Sequence, residues 1–253
     1  MKKSINEIKT EFLNTPIIDI YKVINIYNND QRIGVQNLIK SYKNKLKKYE
    51  EELIRIENMK KYEKEAYSQG KTLIAGIDEV GRGPFAGPVV TASVILPKDC
   101  NILGINDSKK LSEEKRNELF KLIKEQAIEI TINMEDNNVI DEINILQATI
   151  KSMTKNVHSF KNKPDYLIVD AVNLDLNIPC IAMPKADEKS ISVAAASIIA
   201  KVTRDEYMSQ MHLIYPQYKF NINKGYGTKE HIEAIKKYGP CPIHRKSFIK
   251  NYI

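Results

Sequence analysis

The stretch GIDEVGRGPFAGP, residues 76–88, constrains this chain more than any other. It carries four of the ten glycines and two adjacent acids, Asp78 and Glu79. The run leading into it, Thr72-Leu73-Ile74-Ala75, reads as a buried strand heading for a turn. A carboxylate at the end of a core strand is expensive unless something pairs with it. Asp78 and Glu79 must therefore be satisfied by local hydrogen bonds or hold something positive. Neighbours in a regular strand point to opposite faces, so both can serve one site only if the strand ends at Glu79, as Gly81 and Gly83 would permit.

After residue 70 the chain alternates between two periodicities. Strands are expected at 72–79, 89–96, 127–134, 165–171 and 178–183, and helices at 112–126, 138–160, 190–214 and 228–238. Two adjacent strands followed by strands separated by helices predict an α/β fold, a mixed sheet flanked by helices. The first seventy residues differ. Ser4 and Glu7 form a capping box for a short helix. Val35, Ile39, Tyr42, Leu46, Tyr49, Leu53 and Ile56 then make a narrow apolar stripe on a charged helix over 33–67. The seam stops after about three heptads, so docking on the body is expected in preference to a coiled coil. Ser68-Gln69-Gly70 closes this helix. The domains are thus expected to be a helical N-terminal extension, 1–70, and a catalytic domain, 71–253.

Composition excludes several classes. The 42% apolar and 28% charged fractions are those of an ordinary globular protein. No apolar run approaches the ~20 residues of a membrane span, and no apolar segment follows the charged start as in a secretory signal. Three scattered cysteines, Cys100, Cys180 and Cys241, argue for a reducing compartment, and a cytoplasmic monomer is expected. The net charge is +7, and residues 219–253 hold 8 Lys+Arg against 2 Asp+Glu. A basic tail beside an acidic centre suits a polyanion gripped near metal.

Two further acids share the setting of the first pair. Asp170 closes the apolar strand Tyr166-Leu167-Ile168-Val169, and Asp187 precedes a helix that Ser190 can cap. The positive end of that helix favours ionised Asp187. Acids converging from separate strands make an oxygen-rich site suited to Mg²⁺ or Mn²⁺, whereas zinc prefers His and Cys. Such ions can activate water and stabilise the leaving oxygen of a phosphodiester. Weaker signals carry less. Cys241-Pro242-Ile243-His244 lacks the second Cys pair of a zinc site. Ser197, Lys201 and Asp205, one helical turn apart, read as a surface ladder.

Six blocks in order complete the reading: GIDEVGRGPFAGPVV from Gly76, NDSKKL from Asn106, YLIVDAV from Tyr166, VAAASIIAKVTRD from Val193, NKGYGTKEH from Asn223 and GPCPIHRKSF from Gly239. Together they resemble the bacterial ribonuclease HII family across about residues 72–250. The resemblance implies a ribonuclease H-like fold and metal-dependent cleavage, with Mn²⁺ or Mg²⁺, of RNA paired or joined to DNA. It also implies cutting 5′ of single ribonucleotides in duplex DNA, which leaves a 5′-phosphate and a 3′-hydroxyl. It assigns the metal site to Asp78, Glu79, Asp170 and Asp187, the junction loop to Gly81, Arg82 and Gly83, and the sugar-stacking tyrosine to Tyr226. Arg82, Lys109, Lys224 and the His244-Arg245-Lys246 stretch are candidates to position phosphates. The sister ribonuclease HIII family lacks the loop arginine and has a sheet-rich N-terminal domain, so Arg82 and the helical extension favour HII. A non-catalytic nucleic-acid-binding protein is the alternative from another class, and the intact set of four acids argues against it.

Overall fold

In the computed structural model, which describes residues 3–253, the chain divides into two compact units, one ending at Glu57 and one spanning Asn58 to Ile253. The first unit is helical. α1 (Ile5–Asn14) starts at the expected capping box, with Glu7 N–H donating to Ser4 Oγ at 3.3 Å and Ser4 N–H to the Glu7 carboxylate at 2.7 Å. α2 (Ile20–Tyr27) was not expected, and α3 (Ile33–Met59) is the charged helix. Val35, Ile39 and Tyr42 of α3 pack on Ile8 and Phe12 of α1 and on Ile20, Val23 and Ile24 of α2. The first half of the apolar stripe thus builds a local helical core. The unread helix α2 supplies its partner surface.

The second unit begins before the expected boundary. The helix anticipated to continue to residue 67 breaks at Lys60, whose buried ammonium donates to Asn101 Oδ1 at 2.5 Å. A separate helix, α4 (Lys61–Ser68), follows. Its Ala66, Tyr62 and Tyr67 join a core with Ile74, Ile168, Met183, Ala186 and Val193, so α4 belongs with the sheet.

The sheet has five strands in the order β3-β2-β1-β4-β5: β1 (Ile74–Val80), β2 (Val89–Ile95), β3 (Glu129–Glu135), β4 (Tyr166–Asp170) and β5 (Cys180–Met183). β1 runs antiparallel to β2 and parallel to β4, so the sheet is mixed as expected. α5 (Glu113–Gln126), α6 (Asn137–Ser159) and α7 (Ile191–Ile214) follow the read pattern to within a residue or two. α8 (Phe220–Asn223), α9 (Lys229–Tyr238) and α10 (Lys246–Ile249) complete the chain. One face of the sheet meets α6 through Ala75, Ile77, Leu167 and Val169 against Met153, Val157 and Phe160. The other face meets α7.

α7 lies unusually close to β1. Its first half is almost all small or apolar, and Ile191 to Ala200 are buried throughout. A Cβ placed on Gly76 would fall 2.2 Å from the Ser192 carbonyl carbon and 2.3 Å from the Val193 nitrogen. Only glycine lets the helix backbone touch the strand here, two residues before Asp78. The backbone of Gly76 is otherwise ordinary, so the requirement is space and not conformation. Gly76→Ala should therefore destabilise by about 3 kcal/mol or more, the upper end of overpacking costs. Urea denaturation followed by circular dichroism measures this, with a wild-type midpoint counting against the close approach.

Candidate active site

The register of two strands sets the acids side by side. Ile77 of β1 lies opposite Val169 of β4, and their pairing ends there. The next residues along the two parallel strands are Asp78 and Asp170. β1 does not end at Glu79 as expected but continues to Val80, paired with β2 alone. Because β4 stops alongside, that side of β1 is open, and the longer Glu79 side chain reaches the site from the other face of the strand. One carboxylate oxygen each of Asp78, Glu79 and Asp170 lie within 4.8 Å of one another.

The cluster is electrostatically unsatisfied. Burial first, and then Glu79, Asp170 and Asp187, raise Asp78 well above the usual carboxylate range, against a hydrogen bond from Ser197. Burial also raises Glu79, opposed by Arg82, whose guanidinium lies 3.5 Å from Glu79 Oε1. Glu79 Oε2 is buried with no hydrogen-bond partner. Three crowded carboxylates with an unpaired buried oxygen suit a hard divalent cation, which takes oxygen ligands and cancels the repulsion.

Asp187 does not join that mutual set. It sits in a short 3₁₀ turn, Ala186–Glu188, immediately before α7. Burial, then Asp107 and Asp170, push it up to about 6, and a hydrogen bond with the Asp107 carboxyl contributes. Sequence alone gives no sign of Asp107 as a site residue, because an Asp followed by Ser looks like a turn cap. It is one, accepting from Lys109 N–H at 2.9 Å. Ser108 and Ser197 were also missed as site residues. Their hydroxyls are 2.9 Å apart, and the expected surface ladder is corrected, since Ser197 is buried beside Asp78 while Lys201 pairs with Asp205 at 2.8 Å. Lys109 stands exposed at the edge of these acids. Burial would lower its pKa, but Asp107, Asp78, Asp187 and Glu79 outweigh this and raise it.

The glycine loop between β1 and β2 is held from below by two buried arginines. Arg245 donates to the carbonyls of Gly81 (2.6 Å), Arg82 (2.9 Å) and Gly87 (2.8 and 3.0 Å). Arg204 donates to those of Pro88 (3.0 Å), Ala86 (3.1 Å) and Lys224 (2.9 Å). Arg245 is fully buried, which corrects its expected role: its guanidinium is committed to the loop backbone and presents nothing to a phosphate. His244 is likewise buried. Lys224 is half-buried, its ammonium donating to Ser209 Oγ at 2.9 Å. No sequence signal flagged Arg204, an arginine lying past a run of small residues on a core helix.

The two framing glycines of the loop differ. Gly81 has φ +93° and a Cβ there would strike Arg204 Nε at 2.2 Å, so it is required by the fold. Gly83 is exposed with no positive φ, and a Cβ there would meet only Tyr226 Cε1, at 3.9 Å. Nothing in the protein itself demands glycine at 83. Tyr226 faces this position from the α8–α9 turn, with the Arg204 guanidinium 6.0 Å from its ring centroid.

A pair of neutral histidines fixes the Tyr226 turn. Cys241 N–H donates to His244 Nδ1 at 2.9 Å, so the His244 proton is on Nε2 and points to His231 Nε2, 3.0 Å away. His231 then carries its proton on Nδ1 and donates to the Tyr226 carbonyl at 2.9 Å. A further proton on His244 Nδ1 would face the Cys241 N–H, with the Cys241 carbonyl 3.3 Å away as its acceptor. Burial, with His231 adding to it, lowers His244 to about 4, and burial lowers His231 against the Tyr226 bond.

The Ribonuclease HII family model matches residues 75–251, and the Ribonuclease HII N-terminal domain model matches residues 4–67. The chain is 54% identical over 224 residues to ribonuclease HII of Caldanaerobacter subterraneus subsp. tengcongensis, covering 88% of this chain and 92% of that protein. It is 50% identical over 253 residues to ribonuclease HII of Clostridioides difficile strain 630, covering 99% of each. Among solved structures, ribonuclease H2 of Pyrococcus horikoshii OT3 superposes with a TM-score of 0.62 at 28% identity, covering 72% of this chain and 97% of that one.

The histidine pair has a measurable consequence. A group whose pKa is lower folded than unfolded contributes stability that is complete above its unfolded value and lost as pH falls toward the folded one. The window here runs from about 6.5, the unperturbed value, down to about 4 for His244. The free energy of unfolding should fall across it, by at most about 1.4 kcal/mol per pH unit for each histidine. His244→Gln should flatten that slope relative to wild type whatever its effect at pH 7.5. An identical slope in the variant would count against a neutral pair.

Proposed function

The chain belongs to the ribonuclease HII family of metal-dependent endonucleases that cut RNA in RNA–DNA hybrids, and we propose that it also cuts 5′ of single ribonucleotides embedded in duplex DNA, leaving a 5′-phosphate and a 3′-hydroxyl. One observation carries the finer reading: Gly83, exposed and with no structural need to be glycine, lies beside Tyr226 on the loop that follows Asp78 and Glu79. A backbone open at that point can approach a sugar closely. The 2′-hydroxyl is both donor and acceptor and distinguishes RNA from DNA without any base being read.

In this reading Asp78, Glu79 and Asp170, joined by Asp187, hold Mg²⁺ or Mn²⁺. Divalent ions bound there would supply an acidified attacking water and charge stabilisation on the leaving oxygen. The protein does the rest by position. The peptide groups of Gly81, Arg82 and Gly83 bind the ribonucleotide, and Tyr226 stacks against its sugar. Arg82 and Lys109, both exposed beside the acids, orient the phosphates without reading sequence. Arg245 acts through the loop whose carbonyls it holds. Lys109 also limits the repulsion among Asp107, Asp78, Asp187 and Glu79 before substrate arrives. Among the described residues no helix is long and apolar enough to cross a membrane. The three cysteines are free thiols, which suits a reducing compartment such as the cytoplasm.

Asp78→Asn and Asp170→Asn each remove a negative ligand while keeping side-chain size. Each should lower hybrid cleavage at saturating Mg²⁺ by about a thousandfold or more, with circular dichroism and hybrid affinity near wild type. Near-normal turnover in either would overturn the metal assignment.

Gly83→Ala fits the free protein, so its effect isolates substrate contact. It should lower kcat/KM for a single embedded ribonucleotide about tenfold more than for a continuous hybrid, where neighbouring 2′-hydroxyls offer other registers. Arg82→Ala keeps the peptide groups and should slow both substrates to a similar extent. An unchanged substrate ratio in Gly83→Ala would make the loop a turn with no part in discrimination.

A further inference from the structure

α4 carries a carboxylate for which the chemistry above has no use. Glu63 is only 4% exposed. Its Oε1 accepts from the Ser190 hydroxyl at 2.5 Å and from Ser192 N–H at 3.1 Å, while Ser190 Oγ accepts from Val193 N–H at 3.2 Å. The first amides of a helix have no partner within it, and an N-cap side chain ordinarily satisfies one. At α7 the N-cap serine is itself held by Glu63, from a helix more than a hundred residues earlier in the chain. A buried carboxylate is a costly way to brace a cap.

What the cap braces is the turn bearing two of the acids' anchors. Ser190 N–H and Lys189 N–H donate to the Ala186 carbonyl at 2.8 and 3.0 Å, closing the turn that contains Asp187. Ala186 N–H donates to Asp170 Oδ1 at 2.7 Å. Ala186 also packs in one core with Ala66 of α4. A continuous set of bonds therefore runs from Glu63 through Ser190 and Ala186 to both Asp187 and Asp170.

We propose that Glu63 is a positioning residue for the metal-binding carboxylates: by accepting from Ser190 and Ser192 it sets the turn that presents Asp187 and fixes Asp170. This rests on the metal-site reading given above. It gives α4 a role in ion binding although it contributes no ligand. Burial raises the Glu63 carboxyl, opposed by the bonds from Ser190 and Ser192. Ionised or neutral, Oε1 still accepts, so a glutamine at this position keeps the acceptor.

The test uses the full chain and Mn²⁺ alone, titrated calorimetrically without nucleic acid, alongside kcat and KM on a hybrid. Glu63→Ala should weaken Mn²⁺ binding about tenfold, within the range for groups that orient metal ligands. It should lower kcat while leaving KM for the hybrid near wild type. Glu63→Gln should restore both to near wild type. Ser190→Ala, which removes the bridging hydroxyl and little packing, should weaken Mn²⁺ binding in the same direction, and it decides the matter if Glu63→Ala does not fold. Wild-type Mn²⁺ affinity in Glu63→Ala with only a lower Tm would overturn the proposal, as would a Glu63→Gln protein as impaired as Glu63→Ala. Asp78→Asn serves as the control. Loss of binding there with none in Glu63→Ala or Ser190→Ala overturns this inference alone, whereas a wild-type protein without saturable Mn²⁺ binding overturns the metal site itself.

Discussion

Two buried guanidinium groups whose hydrogen bonds go to backbone carbonyls hold the working face of this protein together. Arg204 and Arg245 spend their donors on backbone carbonyls of the glycine loop and of Lys224. Burial lowers Arg245 to about 9 and Arg204 to about 10, still charged at neutral pH. A cation held mainly by carbonyl dipoles is costly to bury, and the carbonyls would be orphaned without it. Neither side can be removed cheaply, so the loop has one geometry. Its outer surface, with Arg82 and Gly83 exposed, is thereby left unused by the fold.

The acids follow the opposite rule. The loop is over-satisfied, whereas Asp78, Glu79 and Asp170 are under-satisfied, with one buried oxygen unpaired. The local compensations are partial: Ser197 for Asp78, Arg82 for Glu79 and the Ala186 amide for Asp170. A rigid frame beside an unsettled charge cluster is what electrostatic preorganisation requires, because the frame and not the charges bears the cost of alignment. The histidine pair extends the frame to Tyr226, a second surface left exposed beside a fixed backbone.

The division of the chain matters for how the extension is understood. Residues up to Glu57 form their own helical core around Phe12 and Tyr42, stacked with centroids 4.6 Å apart. α4, although continuous in sequence with that region, is built into the sheet-bearing unit. The expected boundary at Gly70 follows the chain, whereas the packing of Ala66 against Ile168, Met183 and Ala186 ties α4 to the core beside Asp170 and Asp187.

Much of this was legible in the residues. Apolar periodicity located the five strands and the long helices, because burying one face or both of a sheet leaves a pattern in any sequence that does it. Strand-end placement and adjacency brought out Asp78, Glu79 and Asp170, because an acid in an apolar run has few bland explanations. Tertiary structure alone decided that Arg245 faces inward, that Asp187 leans on Asp107, that Ser197 is buried beside Asp78 and that α4 belongs to the catalytic unit. Each of these depends on which distant atoms folding brings into contact with a side chain, about 3 Å where the contact is a hydrogen bond. An arginine bound for a phosphate and one bound for a buried carbonyl are the same letter; the difference is the surface that folding brings to it.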